Sequence, residues 1–271
     1  MLKYLYTKWI LNTKNLVIVV LLVFAKKIIV DKVYNVYAMT AEPFCIFEPL
    51  IMIMNSGLIV LLLSLFFIFM MSEYPVSDSS LYYQLIRSGR KKWFYAQIYF
   101  AIVAIITYLV IVFGYTILAT QSICFLADGW SLNISDYSYE MGLISYVPIE
   151  LFNQMPPVKA FIWSLVLFLT YLYFLLGMQM IGFAYGKKSV VDCIQMILLF
   201  AGIASLFIRN ELTWLFPVSH SILFIHFTKY YKAALFSPYL SFVLLFGFGT
   251  LLYVMSYIRM KKTNVDDLKG N

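Results

Sequence analysis

The residues that could carry out acid–base or metal chemistry are few and widely spaced in this chain. The two histidines, His220 and His226, are six positions apart, so a helix would not bring them to one face as a spacing of four would. The three cysteines, Cys45, Cys124 and Cys193, fit no metal-binding spacing. The sequence therefore predicts no metal site and no catalytic residue.

The segment from Gly182 to Ser189 has glycines and lysines in an order that suggests a phosphate-binding loop. Such a loop has four residues between its glycines, and a Ser or Thr directly follows its lysine. Here only three residues separate Gly182 from Gly186, and Lys187 is followed by Lys188. The segment also follows an apolar stretch too long for a strand. We interpret it as the end of a membrane-spanning helix whose lysines reach the membrane surface, and we expect no cofactor to bind this chain.

The elements that must position any functional residue are long and apolar. Five stretches contain no Asp, Glu, Lys, Arg or His: 49–71, 94–121, 160–186, 193–208 and 239–258. A helix needs about 20 apolar residues to cross a hydrocarbon core of about 30 Å. Ionisable groups inside a membrane are costly and are kept for proton relays, ion coupling or acid–base chemistry. We therefore expect the chain to move or bind something while another polypeptide supplies any energy.

Composition excludes a soluble globular protein. Hydrophobic residues make up 63% of the chain and charged residues 12%, whereas ordinary soluble domains carry about 25% charged residues. The net charge of +7 does not indicate nucleic-acid binding, because the basic residues lie at the ends of the apolar stretches rather than in one patch. The lipid bilayer is the expected environment.

We predict an all-α integral membrane protein with a single transmembrane domain over residues 1–271. Its six predicted spans are 16–30, 49–71, 94–121, 160–186, 191–208 and 239–258. The first has only ten apolar residues before Lys26 and Lys27. Lysines near a helix end can extend to the membrane surface, but a signal peptide with a Val23-Phe24-Ala25 cleavage pattern also fits this region.

The distribution of Lys and Arg predicts the orientation of the spans. If the N-terminus is inside, 13 of the 20 Lys and Arg residues lie in inner segments and 7 in outer segments. This positive-inside bias supports six spans with both termini in the cytoplasm, and we expect the chain to lie in the plasma membrane. Cys45 and Cys124 then lie outside, where a disulfide or two free thiols both fit. The outer segment 209–238 is too apolar for a free loop, so we expect it to pack on neighbouring spans.

The first residues form a helical stripe that suits the membrane interface. The apolar members recur at intervals of three and four, and they are Leu2, Leu5, Tyr6, Trp9 and Ile10. We predict an amphipathic interfacial helix with Trp9 at headgroup level. An extension of the first span is the alternative.

The inner segment between the second and third spans has the features of a docking helix. Asp78 or Ser79 can cap it and Gly89 can end it. We predict a partner interface that comprises Ser79, Leu81, Tyr82, Leu85, Ile86, Arg87 and Ser88, whose apolar members lie on one face. A basic loop that only sets orientation is the alternative.

Polar residues inside the apolar stretches are candidates for contact with a substrate. Gln179 and Gln195 are the strongest of them, and each fits either an interhelical hydrogen bond or a substrate path. Small residues predict close helix contacts at Gly182 with Gly186, Ala201 with Ser205, and Gly247 with Gly249.

Taken over its whole length, the chain resembles the permease subunit of an ATP-binding-cassette (ABC) transporter of the type-2 exporter class. The resemblance lies in the amphipathic N-terminal helix, the six spans, and three sequence stretches: Leu85-Ile-Arg-Ser-Gly-Arg-Lys-Lys-Trp93, Met155-Pro-Pro-Val-Lys-Ala-Phe161 and Phe216-Pro-Val-Ser-His220. It implies a coupling helix near 79–88 that meets a separate ATPase subunit, which binds ATP and Mg. It also implies a re-entrant element before the last span and a second permease subunit.

Members of that class export peptides, antibiotics or lipids, and the resemblance implies such a substrate moved by alternating access. Two other functions fit a polytopic membrane chain. One is an ion-coupled or passive carrier, and the other is a membrane enzyme or processing protease. An ion-coupled carrier and a membrane enzyme would each need ionisable residues inside the membrane.

Overall fold

A computed structural model describes residues 2–76, 87–208, 211–230 and 234–262. These residues are mainly helical. The α-helices are α1 (Leu2–Ile10), α2 (Val17–Ala25), α3 (Asp31–Thr40), α4 (Phe47–Asn55), α5 (Gly57–Met70), α6 (Arg90–Thr120), α7 (Leu132–Ser135), α8 (Ile149–Phe152), α9 (Pro157–Ala184), α10 (Lys188–Ile208) and α11 (Pro238–Lys262). A π-helical segment, Lys26–Val30, joins α2 to α3, and 3-10 turns lie at Thr13–Leu16, Gln121–Ile123, Glu211–Leu215, Ser219–Ser221 and Phe224–His226.

Four helices are long and apolar enough to cross a membrane: α6, α9, α10 and α11. They confirm the helices predicted at 94–121, 160–186, 191–208 and 239–258. Their outward surfaces carry large exposed apolar side chains, among them Val110, Leu118 and Phe248. Such surfaces suit a hydrocarbon environment, where apolar exposure carries no cost.

The second predicted span is not one straight helix. The chain bends by 78° between α4 and α5, where Ser56 adopts an extended conformation with ψ of 119°. The span predicted over 49–71 is therefore a bent pair of helices in the structure, and its crossing of the membrane remains a prediction. The physical reason for the bend is that Ser56 leaves the helical conformation while the Asn55 side chain takes partners from distant segments.

The first predicted span is part of a longer helical run that continues through the π-helical segment to Thr40. Its uncharged part, α2, has nine residues and extends about 14 Å, well short of the hydrocarbon core. The run is not among the four long apolar helices. A span over 16–30 therefore remains a prediction.

The N-terminal stripe forms the predicted helix, α1. Leu5 and Trp9 are buried, and the Tyr6 hydroxyl lies 3.0 Å from a threonine hydroxyl of α6. The other two members, Leu2 and Ile10, are exposed. The helix thus packs along α6 with part of its apolar face, and its place at a membrane interface remains a prediction.

The centre of the structure is α9, which packs on α4, α6, α10 and α11. Its contact with α11 is close because small residues face one another. A Cβ atom placed on Gly177 would lie 3.2 Å from the Gly249 carbonyl oxygen, and one on Gly249 would lie 2.9 Å from the Tyr173 ring. A Cβ atom placed on Gly247 would meet no other atom within 4 Å. Of the predicted pair Gly247 and Gly249, only Gly249 therefore makes a close contact between helices.

A short parallel pair of strands, β1 (Phe44–Cys45) and β2 (Cys124–Phe125), joins two of the three predicted outer segments. Cys45 and Cys124 lie on these neighbouring strands, and both are free thiols. Of the two alternatives for this pair, the structure has the unpaired one.

Candidate functional site

Most of the predicted partner interface lies outside the described residues. These positions are Ser79, Leu81, Tyr82, Leu85 and Ile86. Arg87 and Ser88 are described and are helical. They are followed by Gly89, whose φ of +78° is a conformation that favours glycine. A helix that ends at Gly89 remains a prediction.

The chain that precedes the predicted interface is bonded to two other elements. The Lys14 ammonium lies 3.0 Å from a Glu73 carboxylate oxygen and donates to the Ser72 hydroxyl at 3.0 Å. Lys188, at the start of α10, donates to the Ser72 carbonyl at 2.5 Å. The hydrogen bond from Lys14 lowers the pKa of Glu73. We refer to Lys14, Ser72, Glu73 and Lys188 as the lysine–glutamate cluster.

The chain on both sides of the interface is also fastened to α6 and α11. The buried Gln97 amide donates to the Val76 carbonyl and accepts from the Val76 N–H, both at 3.2 Å. Arg90 donates to the carbonyl oxygens of Met260 at 2.9 Å and Lys261 at 3.3 Å. Residues 77–86 are therefore flanked by contacts that reach four helical elements. Sequence reasoning missed Gln97, because nothing local indicates its partner.

The two predicted polar contacts inside the helices differ from each other. Gln195 is buried and its amide nitrogen donates to the Leu175 carbonyl of α9 at 2.5 Å, while its amide oxygen has no partner among the described residues. Gln179 is fully buried, and neither of its amide atoms has a hydrogen-bond partner among the described residues. Buried polar groups normally have partners. Gln179 is thus the stronger candidate for a contact made in another state of the molecule.

A buried carboxylate organises the other end of the structure. Glu48 accepts hydrogen bonds from the Cys45 N–H at 3.0 Å, the Ser131 N–H at 2.6 Å and the Ser131 hydroxyl at 2.8 Å. Nearby, Asn133 donates to the Glu42 carbonyl at 2.7 Å. These bonds satisfy the carboxylate where water has little access. Glu48 therefore connects the segment before α4 to the connection between α6 and α9.

Asn55 is the centre of a second buried network, at the bend between α4 and α5. Its amide nitrogen donates to Ile51 O at 3.0 Å and to the Ser164 hydroxyl of α9 at 2.9 Å. Its oxygen accepts from the backbone N–H groups of Leu223 at 3.0 Å and Phe224 at 3.2 Å. The two residues belong to the segment that links α10 to α11, so this segment packs on α4. The contact agrees with the prediction that the segment 209–238 packs on neighbouring spans, as far as its residues are described.

The two histidines meet at one hydroxyl through 3-10 turns rather than on a helix face. His220 Nδ1 and His226 Nε2 each lie 2.8 Å from Ser241 Oγ. Their other nitrogens lie 2.9 Å from the carbonyl oxygens of Trp214 and Ile222, so those nitrogens carry protons. Burial lowers the pKa of His226 to about 4, so this ring is neutral at pH 7. Among the described residues, no group of three or more His, Cys, Asp or Glu could hold a metal ion.

The residues that sequence reasoning missed share one property. Glu48, Asn55 and Gln97 are polar residues whose partners are far away in the sequence or belong to the backbone. Only Asn55 has a local signal, since it begins an Asn-Ser-Gly triplet inside an apolar stretch. Such a triplet can end a helix.

Comparison of the chain with models of protein families, with curated proteins and with solved structures gives no match. The function proposed below therefore rests on the contacts within this chain.

Proposed function

We propose that this chain is the membrane-spanning subunit of an ABC exporter. It would move a peptide, antibiotic or lipid-like substrate by alternating access, together with a second permease subunit. A separate ATPase subunit would bind ATP and Mg and supply the energy. Four long apolar helices, which give the chain the character of a membrane protein, support this proposal at its coarsest level.

The contacts between connecting segments support the proposed topology. Segments that the positive-inside rule places in the cytoplasm contact one another, as Lys14 contacts Glu73 and Arg90 contacts Met260. Segments assigned to the outside also contact one another, as Glu48 contacts Ser131. We call the part of the structure with the first group of contacts the basic end, and the part with the second group the outer end. A chain that crosses the membrane in alternating directions would produce two such groups.

The observation that carries the proposal is the attachment of both flanks of residues 77–86. The preceding flank is bonded to Lys14 and Lys188, and the following flank is bonded to α11 through Arg90. A partner that displaced this segment would displace the ends of several helices at once. Rigid-body movement of packed helices is an established way to convert a local displacement into a large one.

Gln179 provides secondary support inside the helices. Its amide is fully buried without a partner among the described residues, and an unpaired buried amide costs about 1–3 kcal/mol. A second conformation in which Gln179 gains a partner, from the substrate or from another helix, would recover this energy. Alternating access requires two such conformations.

The test is whether the chain binds an ABC ATPase and stimulates its turnover in proteoliposomes. Leu81→Ala combined with Leu85→Ala should release the ATPase or uncouple its turnover from transport, because truncated interface anchors commonly cost about 2 kcal/mol or more. Gln84→Ala, off the predicted face, is the matched control and should behave like the parent. Transport without any ATPase, or a double variant that couples normally, would contradict the proposal.

A further inference from the structure

A cavity of about 160 Å³ lies at the basic end, between the start of α6 and the end of α11. Six residues line it, three of them basic: Arg90, Lys91, Phe94, Tyr257, Met260 and Lys261. The basic residues come from both helices, so the cavity is a product of their packing rather than of one charged run. The function proposed above does not use it.

The two lysine side chains of the cavity have no acidic partner among the described residues. Arg90 donates to carbonyl oxygens at the end of α11, which reduces its need for another acceptor. Lys91 and Lys261 are exposed, and no carboxylate pairs with either ammonium group in the part of the chain that the structure describes. Like charges around one cavity repel, and an anion between them would remove that repulsion.

The remaining wall of the cavity is apolar. Phe94 and Met260 are buried, and the rings of Phe94 and Tyr257 lie 5.2 Å apart. A free phosphate ion would gain nothing from these side chains. An anion that carries a hydrocarbon chain would contact both the basic and the apolar walls, and an acidic phospholipid has this chemistry.

We propose that this cavity binds the headgroup and first methylene groups of an acidic phospholipid. Basic pockets between membrane helices on the cytoplasmic side bind anionic headgroups in this way, and the cavity lies at the end that the positive-inside rule places there. The proposal is independent of transport, because a chain that binds no ATPase would still bind the lipid.

The experiment measures lipid binding to the purified full chain in neutral detergent at low salt. The probes are dihexanoyl phosphatidylglycerol, dihexanoyl phosphatidylcholine and inorganic phosphate, and native mass spectrometry gives the dissociation constants. The acidic lipid should bind most tightly. Equal binding of the neutral lipid would mean that charge is not recognised, and equal binding of phosphate would mean that the site takes a free anion. Either result would overturn the proposal.

Two double variants of equal net charge locate the site. Lys91→Gln with Lys261→Gln should weaken binding of the acidic lipid by roughly tenfold or more, because each basic side chain near an anionic headgroup contributes substantially. Lys92→Gln with Lys262→Gln changes neighbouring exposed lysines outside the cavity lining and should have little effect. All four lysines are exposed, so both variants should fold. Equal losses in the two variants would show diffuse attraction instead of a site.

Discussion

Replacement of Asn55 by leucine tests whether one side chain holds the bend between α4 and α5. Leucine has a similar size but cannot accept the N–H groups of Leu223 and Phe224 or donate to Ser164. Each buried group left without a partner costs about 1–3 kcal/mol. The Ser164 hydroxyl can turn to a carbonyl of its own helix, so the buried Leu223 N–H dominates. We expect a loss of about 1–3 kcal/mol of unfolding free energy.

The assay is thermal unfolding of the purified protein in detergent, followed by the loss of helical circular dichroism. Ser164→Ala is the matched control, since it removes one hydroxyl from the same network and leaves both N–H groups bonded to Asn55. It should lower the melting temperature much less than Asn55→Leu does. If Asn55→Leu melts with the parent, the bend is held by packing and our account of the network is wrong.

Two further predictions concern helix packing and pH. Gly249→Ala should destabilise the protein by about 1–3 kcal/mol because its Cβ would collide with the Tyr173 ring, whereas Gly247→Ala should be neutral or stabilising; equal melting temperatures would contradict this. The pKa of His226, lowered by burial to about 4, is below its unfolded value of about 6.5. The free energy of unfolding should therefore have its full value above pH 6.5 and fall towards pH 4, by on the order of 3 kcal/mol. Melting curves between pH 7 and pH 5 should show a smaller loss in His226→Gln than in the parent.

The sequence predicts the long helices well because their signal is local. A stretch such as 94–121 has no charge and is long enough to span a bilayer, and no tertiary contact is needed to recognise it. The same reasoning fails at 49–71, since hydropathy does not distinguish a straight helix from one bent by 78°. The bend depends on Asn55, whose backbone partners lie about 170 positions later in the chain.

The candidate site shows the same limit. Spacing excluded His220 and His226 from one helix face, yet 3-10 turns bring both to Ser241. Gln179 and Gln195 look alike in sequence, but only the structure separates the amide that is bonded to α9 from the amide that is not. A residue type predicts that a partner is needed, and the tertiary structure determines which one is found.

The interactions at the two ends differ in strength, and this difference bears on where the proposed transporter would move. The Lys14–Glu73 pair at the basic end has side chains that are 36% and 51% exposed, and exposed pairs of this kind contribute about 0–1 kcal/mol. The side chains of Glu48 and Asn55 are fully buried, so breaking their hydrogen bonds would leave buried groups without partners at a cost of about 1–3 kcal/mol each. The Lys14–Glu73 contact can therefore exchange at little cost while the buried networks stay intact. A partner that acts on residues 77–86 would break this exposed pair more easily than the bonds between the buried Gln97 amide and Val76, so we expect the first movement near Lys14 and Glu73.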